Sequence, residues 1–242
     1  MLFRSENKGP IQISIGSKIY KNIVDAETTP GTPKSDFHIV DNTGKAVIWI
    51  SHKDGKTPKD FQQWSGISER KEPDIFNDEE TQKFISDIKK RYPTGLKQAG
   101  NPDVPSSIYR KIKNVDLKRL SVYGNKYNTG ILGEQNVSIL LQGPVGLVKS
   151  GESYKLTSTH VHINGESVDS NGYEPVFMAI WKGDRSDAGI NGTRIVIMPI
   201  AGRKSIELKE KILMKSFKSF LAEGGNVFKD KTASIKLEHI NP

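Results

Sequence analysis

Two stretches of this chain combine residue types that can do phosphate chemistry. Lys34-Ser35-Asp36 opens one apolar run, and Trp49-Ile50-Ser51-His52-Lys53 closes the next. Hydrolysis of a phosphodiester needs a cation to neutralise the phosphate and acidify the attacking water. A carboxylate can hold that cation, and a lysine can orient the water or stabilise developing charge. Asp36 and Lys53 on a hairpin are those two elements; the plainer reading is a routine hairpin that ends in polar residues.

Side chains alternate across a strand, so Val47, Trp49, Ser51 and Lys53 share one face and Ile48, Ile50 and His52 the other. Both faces are apolar until the strand ends, the pattern of a central strand covered on both sides. Asp36 and His38 share a face of the preceding strand, which predicts Asp36 beside Ser51 and Lys53. Asn42-Thr43-Gly44-Lys45 is the connecting turn. His52 points the other way and is read as packing or hydrogen-bonding; His38 fits either role.

The wording of this hairpin resembles the PD-(D/E)XK, or restriction-endonuclease-like, superfamily. There an Asp on one strand and an acidic-x-Lys on the next bind divalent metal. The resemblance spans roughly Thr32 to Gly66. It implies Asp36 as metal ligand and Lys53 as catalytic lysine, with Mg²⁺ or Mn²⁺ as cofactor. The position two before the lysine is Ser51, not an acid. Some members carry Ser-x-Lys there and take a carboxylate from beyond a following helix. Glu69 is the nearest candidate for that second metal ligand and Glu72 the next, while Glu27 is a candidate upstream acid. Gln62 and Gln63 fit the glutamine that members often place near the active site, Gln63 being the choice here, and equally fit surface amides beside Phe61 and Trp64.

Other elements must position these groups. Residues 10–22 alternate as a half-buried strand. Lys56 to Gly66, with Pro58 in its first turn, reads as a short helix. Glu79 to Tyr92 has Phe84, Ile85 and Ile88 at helical spacing, acids early and bases late, and is predicted helical. Ser106 to Leu120 reads as a basic helix presenting Arg110, Lys111, Lys118 and Arg119 to DNA. From Ser121 short β-type runs and glycine-rich turns predict an antiparallel region. A helix from Leu208 to Leu221 and a strand from Ala233 to Leu237 follow. The expected fold class is α+β (or α/β), a mixed β-sheet core flanked by helices. It forms one domain over 1–242, with a nuclease-like core over about 10–120 and a β-rich elaboration over about 121–242.

The chain has 36 Lys+Arg against 28 Asp+Glu, a formal charge of +8, which favours a polyanionic partner, nucleic acid above all. A solubilising basic surface is the plainer reading. There is no cysteine, so zinc ribbons, disulfides and thiol nucleophiles are excluded and any metal must be a hard ion held by oxygen or imidazole. No apolar run is long enough to span a bilayer, and Met1 to Glu6 turns polar at once, so an intracellular or virion-associated protein is expected. Between two apolar strands, Arg185 and Arg194 flank a glycine-rich loop and could contact phosphate or guanine, or form salt bridges with Asp184 and Asp187. His160 and His162 lie on one strand face without a third ligand nearby. The expectation is a Mg²⁺-dependent DNA endonuclease of phage or mobile-element type. A homodimer is one way to cut both strands. The alternative is a non-catalytic DNA-binding or structural protein of a phage particle or nucleoprotein complex.

Overall fold

The alternation of Phe37–Asp41 (β3) and Ala46–Lys53 (β4) does produce a hairpin, with Phe37 opposite Ile50, His38 opposite Trp49 and Ile39 opposite Ile48. In the computed structural model, residues 9–31, 33–56, 64–168, 174–200 and 205–209 are described. Of the segment expected as a helix from Lys56 to Gly66, residues 57–63, Gln62 and Gln63 among them, lie outside these. So do the expected Ala233–Leu237 strand and residues 210–221 of the expected Leu208 helix. The chain divides into two units, residues 1–208 and 209–242, and both sheets and all the helices named below belong to the first.

Residues 10–22 are not one strand. Gly16, at φ 57°, turns the chain between Ile11–Ile15 (β1) and Lys18–Thr28 (β2), which pair antiparallel. β2 then pairs with β3. Ser65–Gly66 (β5) precedes the short helix Pro73–Phe76 (α1) and the helix Glu79–Arg91 (α2). The latter starts where sequence predicts: the Asp78 carboxylate accepts from the amides of Glu80 and Thr81, and Lys89, Lys90 and Arg91 face the negative end of the helix dipole.

The expected helix over Ser106–Leu120 is a strand, Ser107–Lys111 (β6), followed by a helix, Val115–Tyr123 (α3). Ile108 and Arg110 alternate inward, the period of a strand, and Asn114 caps α3 by accepting from the amides of Asp116 and Leu117. The remaining strands are Ile139–Gln142 (β7), Gly146–Ser150 (β8), Ser153–Thr157 (β9), His160–Ile163 (β10), Pro175–Trp181 (β11), Thr193–Pro199 (β12) and Ile206–Glu207 (β13).

Two sheets result, with strand orders β10-β7-β4-β3-β2-β1-β9-β8 and β13-β6-β11-β12-β5. Both are mixed: β7 runs parallel to β4, β9 parallel to β1 and β13 parallel to β6. Strands after residue 121 therefore do not form a separate elaboration. β7 and β10 complete the sheet that carries the hairpin, whereas β11 and β12 join β5 and β6. The fold is a mixed β-rich α+β arrangement.

β4 is covered on both faces, as its two-sided apolar pattern requires. Ile48 and Ile50 join Ile13, Ile15, Ile23, Ile39, Ile139, Leu141 and Leu156 in one core. A side-chain carbon on Gly16 would come within 2.6 Å of Ile163 Cδ1. The β1–β2 turn thus reaches β10, and the large sheet curls around this core. On the other face Trp49 and Leu140 meet Trp64, Val122, Tyr123, Val137 and Val168. A third core joins α2 and α3 to the second sheet, its Phe84 and Phe177 rings stacked at 5.2 Å. Each such fully buried side chain contributes about 2–3 kcal/mol by leaving water. α3 supplies Val122 and Tyr123 to one core and Leu117 to the other, and so links the two layers.

Candidate active site

The strand ends meet as the alternation requires. Asp36 Oδ2 accepts from the Ser51 hydroxyl at 3.3 Å and from the His52 amide at 2.6 Å, and it lies 3.6 Å from Lys53 Nζ. The Asp36 side chain is 47% exposed and that of Lys53 17%, so the carboxylate is open to solvent while the ammonium is held close beneath it. All three contacts use Oδ2, and Oδ1 takes part in none of them. His52 turns away: its Nε2 is 2.9 Å from Gly143 O and its ring meets Phe37 edge-on.

The backbone around Asp36 is fixed on every side. Its amide donates to Ile50 O at 2.8 Å and its carbonyl accepts from Thr29 N. The preceding amide, Ser35 N, donates to Glu134 O at 2.8 Å, and the buried Ser35 hydroxyl donates to Phe37 O. His38 has a structural role: it stacks on Trp49 at 4.7 Å, lies 3.2 Å from Thr29 Oγ1 and meets Glu27 at 3.6 Å. Glu27 is thereby engaged with His38 and does not join Asp36.

Lys34 is a residue to which sequence assigned no role. Its Nζ donates to Trp64 O at 3.2 Å, to Ser65 Oγ at 2.7 Å and to Ser121 O in the last turn of α3. It pins the entry to Asp36 against both layers at a helix C-terminus, where a cation is favoured. Burial pulls its pKa down to about 8; the charges of Glu72 and Asp36 oppose that fall and Lys53 adds to it. Glu72 is the reciprocal group. Half-buried just before α1, its carboxyl is pushed up by burial and by Asp74, against the pull of Lys34. Glu69, by contrast, is exposed on the turn over residues 69–71 and makes no ion pair with the Asp36 group. Glu72, not Glu69, shares the electrostatic environment of this site.

Gln142, opposite Lys53 on the adjoining strand β7, is fully buried. Its Oε1 lies 3.1 Å from His162 Nε2, and its Nε2 has no partner among the described residues. Burial, then the neighbouring His160, lowers the His162 pKa to about 4, so this imidazole is neutral at pH 7 and can donate to Gln142. The two histidine rings stack at 6.2 Å. Among the described residues no group of three or more His, Asp or Glu converges as a metal cage. Mg²⁺ commonly takes only one or two carboxylates together with substrate phosphates and water, and the exposed carboxylate of Asp36 suits that mode.

The basic residues are dispersed. Arg110 is buried, its Nη2 2.6 Å from Asp87 and its guanidinium 5.5 Å above the Phe84 ring, so it belongs to the core and not to a DNA surface. Arg110→Met is expected to cost about 2 kcal/mol in urea unfolding by removing the bonds to Asp87 and to Leu208 O, and to leave affinity for DNA unchanged. Lys111 pairs with Glu174 at 3.1 Å, and Arg119 with Asp116 at 3.6 Å, on β6 and α3 respectively. Lys118 lies half-buried on α3 and Arg185 is exposed in the loop before β12. Arg194 sits 3.8 Å from Asp187, the salt-bridged form of that loop.

No described helix is long and apolar enough to cross a membrane. No family model matches the chain, and no solved structure matches it. Over 183 residues the chain is 29% identical to the type II restriction enzyme CviJI of Paramecium bursaria Chlorella virus IL3A, an alignment covering 75% of this chain and 49% of that enzyme. The chain thus spans about half the length of the curated relative it matches, and what it is similar to is a restriction enzyme.

Proposed function

We propose that this chain carries a DNA endonuclease site of restriction-enzyme type, dependent on Mg²⁺ or Mn²⁺. The observation that carries this reading is the Asp36–Lys53 pair at 3.6 Å at the end of a covered central strand, in a chain similar to a restriction enzyme. Asp36 would hold the cation. A divalent ion so held supplies charge neutralisation and a more acidic water.

Lys53 orients the attacking water and stabilises the charge that builds on the phosphate oxygens as the water oxygen bonds to phosphorus and one P–O ester bond breaks, its oxygen leaving as an alcohol once protonated. Ser51, in place of an acid, donates to Asp36 and keeps the carboxylate oriented without adding negative charge. Glu72 is the second carboxylate we favour, because it and Asp36 both act on the ammonium of Lys34. DNA is the substrate, approached by a chain of net charge +8, with Lys111, Lys118, Arg119, Arg185 and Arg194 as phosphate contacts. A homodimer would allow both strands to be cut.

The direct test is incubation of supercoiled plasmid with the full chain and Mg²⁺ or Mn²⁺, with and without chelator. Nicked and linear products that vanish on chelation are expected. No product across plasmids of varied sequence and both metals would sink the proposal. The absence of a three-ligand cluster among the described residues favours one other reading, a protein that binds DNA without cutting it. Retention of labelled duplex with no cleavage would select that reading.

A further inference from the structure

We infer that the loop between α3 and β7 carries an apolar wedge, Ile131-Leu132, that inserts into the base stack of duplex DNA lying over Asp36. This rests on the nuclease reading for the location of the DNA.

Ile131 is 59% exposed and its neighbour Leu132 37%. They stand side by side between Gly130, at φ 72°, and Gly133. A single exposed apolar residue is commonplace, but here the loop is built to present two. Asn136, itself buried, spends its amide on the loop, donating to Lys126 O at 3.0 Å and to Ile131 O. Gly133 and Asn136 exchange backbone hydrogen bonds of 2.9 and 3.1 Å. Thr129 Oγ1 donates to Lys126 O, and Tyr127 OH donates to Asp116 on α3 at 2.8 Å. Gly124 closes against Gln135, where any side-chain carbon would come within 2.1 Å of its carbonyl oxygen. The tip is therefore rigid, so the ordering cost of inserting it is already met within the fold.

The loop is also fastened to the site. Glu134 O, two residues beyond Leu132, accepts the amide of Ser35, the residue before Asp36. Chain reach keeps the tip within about 15 Å of Asp36, or about four base pairs at 3.4 Å each. A duplex whose phosphate meets Asp36 passes the tip.

The surface fits a base step better than a protein partner. A stable dimer interface buries on the order of 1,200–2,000 Å² in total, which two side chains do not supply. A base step is opened by one or two apolar side chains, and proteins that kink DNA use Leu and Ile this way. Lys126 and Glu134 cancel within the loop, so phosphate attraction is not its task. Asn128 and Gln135, both exposed and each three residues from the tip in sequence, add amides that can meet base edges, whereas the Asn125 amide is bonded to Asp74.

The experiment uses duplexes carrying 2-aminopurine in each dinucleotide context in turn, titrated with the full chain in chelator so that nothing is cut. Wild type is expected to raise the fluorescence several-fold at one or a few steps. Ile131→Ser/Leu132→Ser is expected to abolish the rise and weaken duplex binding about tenfold, with an unchanged unfolding midpoint. Ile131→Val/Leu132→Met is expected to retain both. Binding without any fluorescence rise, or a rise that survives the serine pair, overturns the wedge and leaves the nuclease reading standing if plasmid is still cleaved. A self-association lost in the serine pair assigns the tip to a second copy and also overturns it. Failure of wild type both to bind duplex and to cleave plasmid removes the nuclease reading and the wedge together.

Discussion

Lys53→Ala and Asp36→Asn are each expected to lower plasmid cleavage by about 10³-fold while leaving the fold intact. The two residues sit on strand ends and not in a core, so their substitution strands little buried surface. Asp36→Asn keeps the shape that accepts from Ser51 and from the His52 amide but removes the charge that attracts a cation. The metal concentration giving half-maximal cleavage should therefore rise along with the loss of rate.

Lys53→Ala leaves the carboxylate free of its ammonium neighbour, so metal binding should persist or tighten while the rate falls. This opposite movement of metal dependence separates a ligand from a group that acts on the water. Lys53→Arg should recover charge but little rate, because a planar guanidinium does not replace a compact ammonium at the same point. If both variants lost activity with identical metal dependence and a lowered unfolding midpoint, the pair would be a structural ion pair and the assignment would fail.

This pair was legible in sequence because period-two alternation is local: once Val47 to Lys53 is a strand, Ser51 and Lys53 must share a face, and the four-residue turn brings Asp36 opposite. The Glu79–Arg91 helix was legible for the same reason, its cap, apolar stripe and charge order all lying within the segment. Ser107–Lys111 was not. Its basic residues suggested an exposed helix, and the hydrogen-bond partners that make a buried Arg110 tolerable, Asp87 and Leu208 O, lie 23 and 98 residues away. The parallel pairing of β7 with β4 joins residues almost ninety apart and leaves no local mark.

The choice between Glu69 and Glu72 was not legible in sequence for a related cause. Both lie on one connection, and which carboxylate turns inward depends on a cation from another layer. That cation, Lys34, was visible as a residue and invisible as a buried one, since nothing in Pro33-Lys34-Ser35 announces that three acceptors from β5 and α3 will converge on it.

Lys34→Met is accordingly expected to lower stability by about 3 kcal/mol, read as a fall in urea midpoint at constant slope. Methionine keeps the stem and so isolates the ammonium. Its loss relieves one buried charge but takes a donor from Trp64 O, leaves Ser121 O to the Ser65 hydroxyl alone and takes from Glu72 the cation that offsets its burial. Lys34→Arg should not rescue, because a flat fork cannot meet three convergent acceptors. The pH dependence gives an independent check. With the folded pKa at about 8 against an ordinary 10.5, the unfolded chain binds more protons than the folded one between those values. Stability therefore gains from Lys34 as pH rises through that window, and the penalty for burying its charge is fully present below it. The gap between wild type and Lys34→Met should widen from pH 8 towards 10.5, with the contributions of other lysines and tyrosines cancelling in the difference. A gap that stays flat or narrows would mean that Lys34 is not buried as a charged group at neutral pH. The tie between Asp36 and the two layers would then have to be sought in Ser35 and its bond to Glu134.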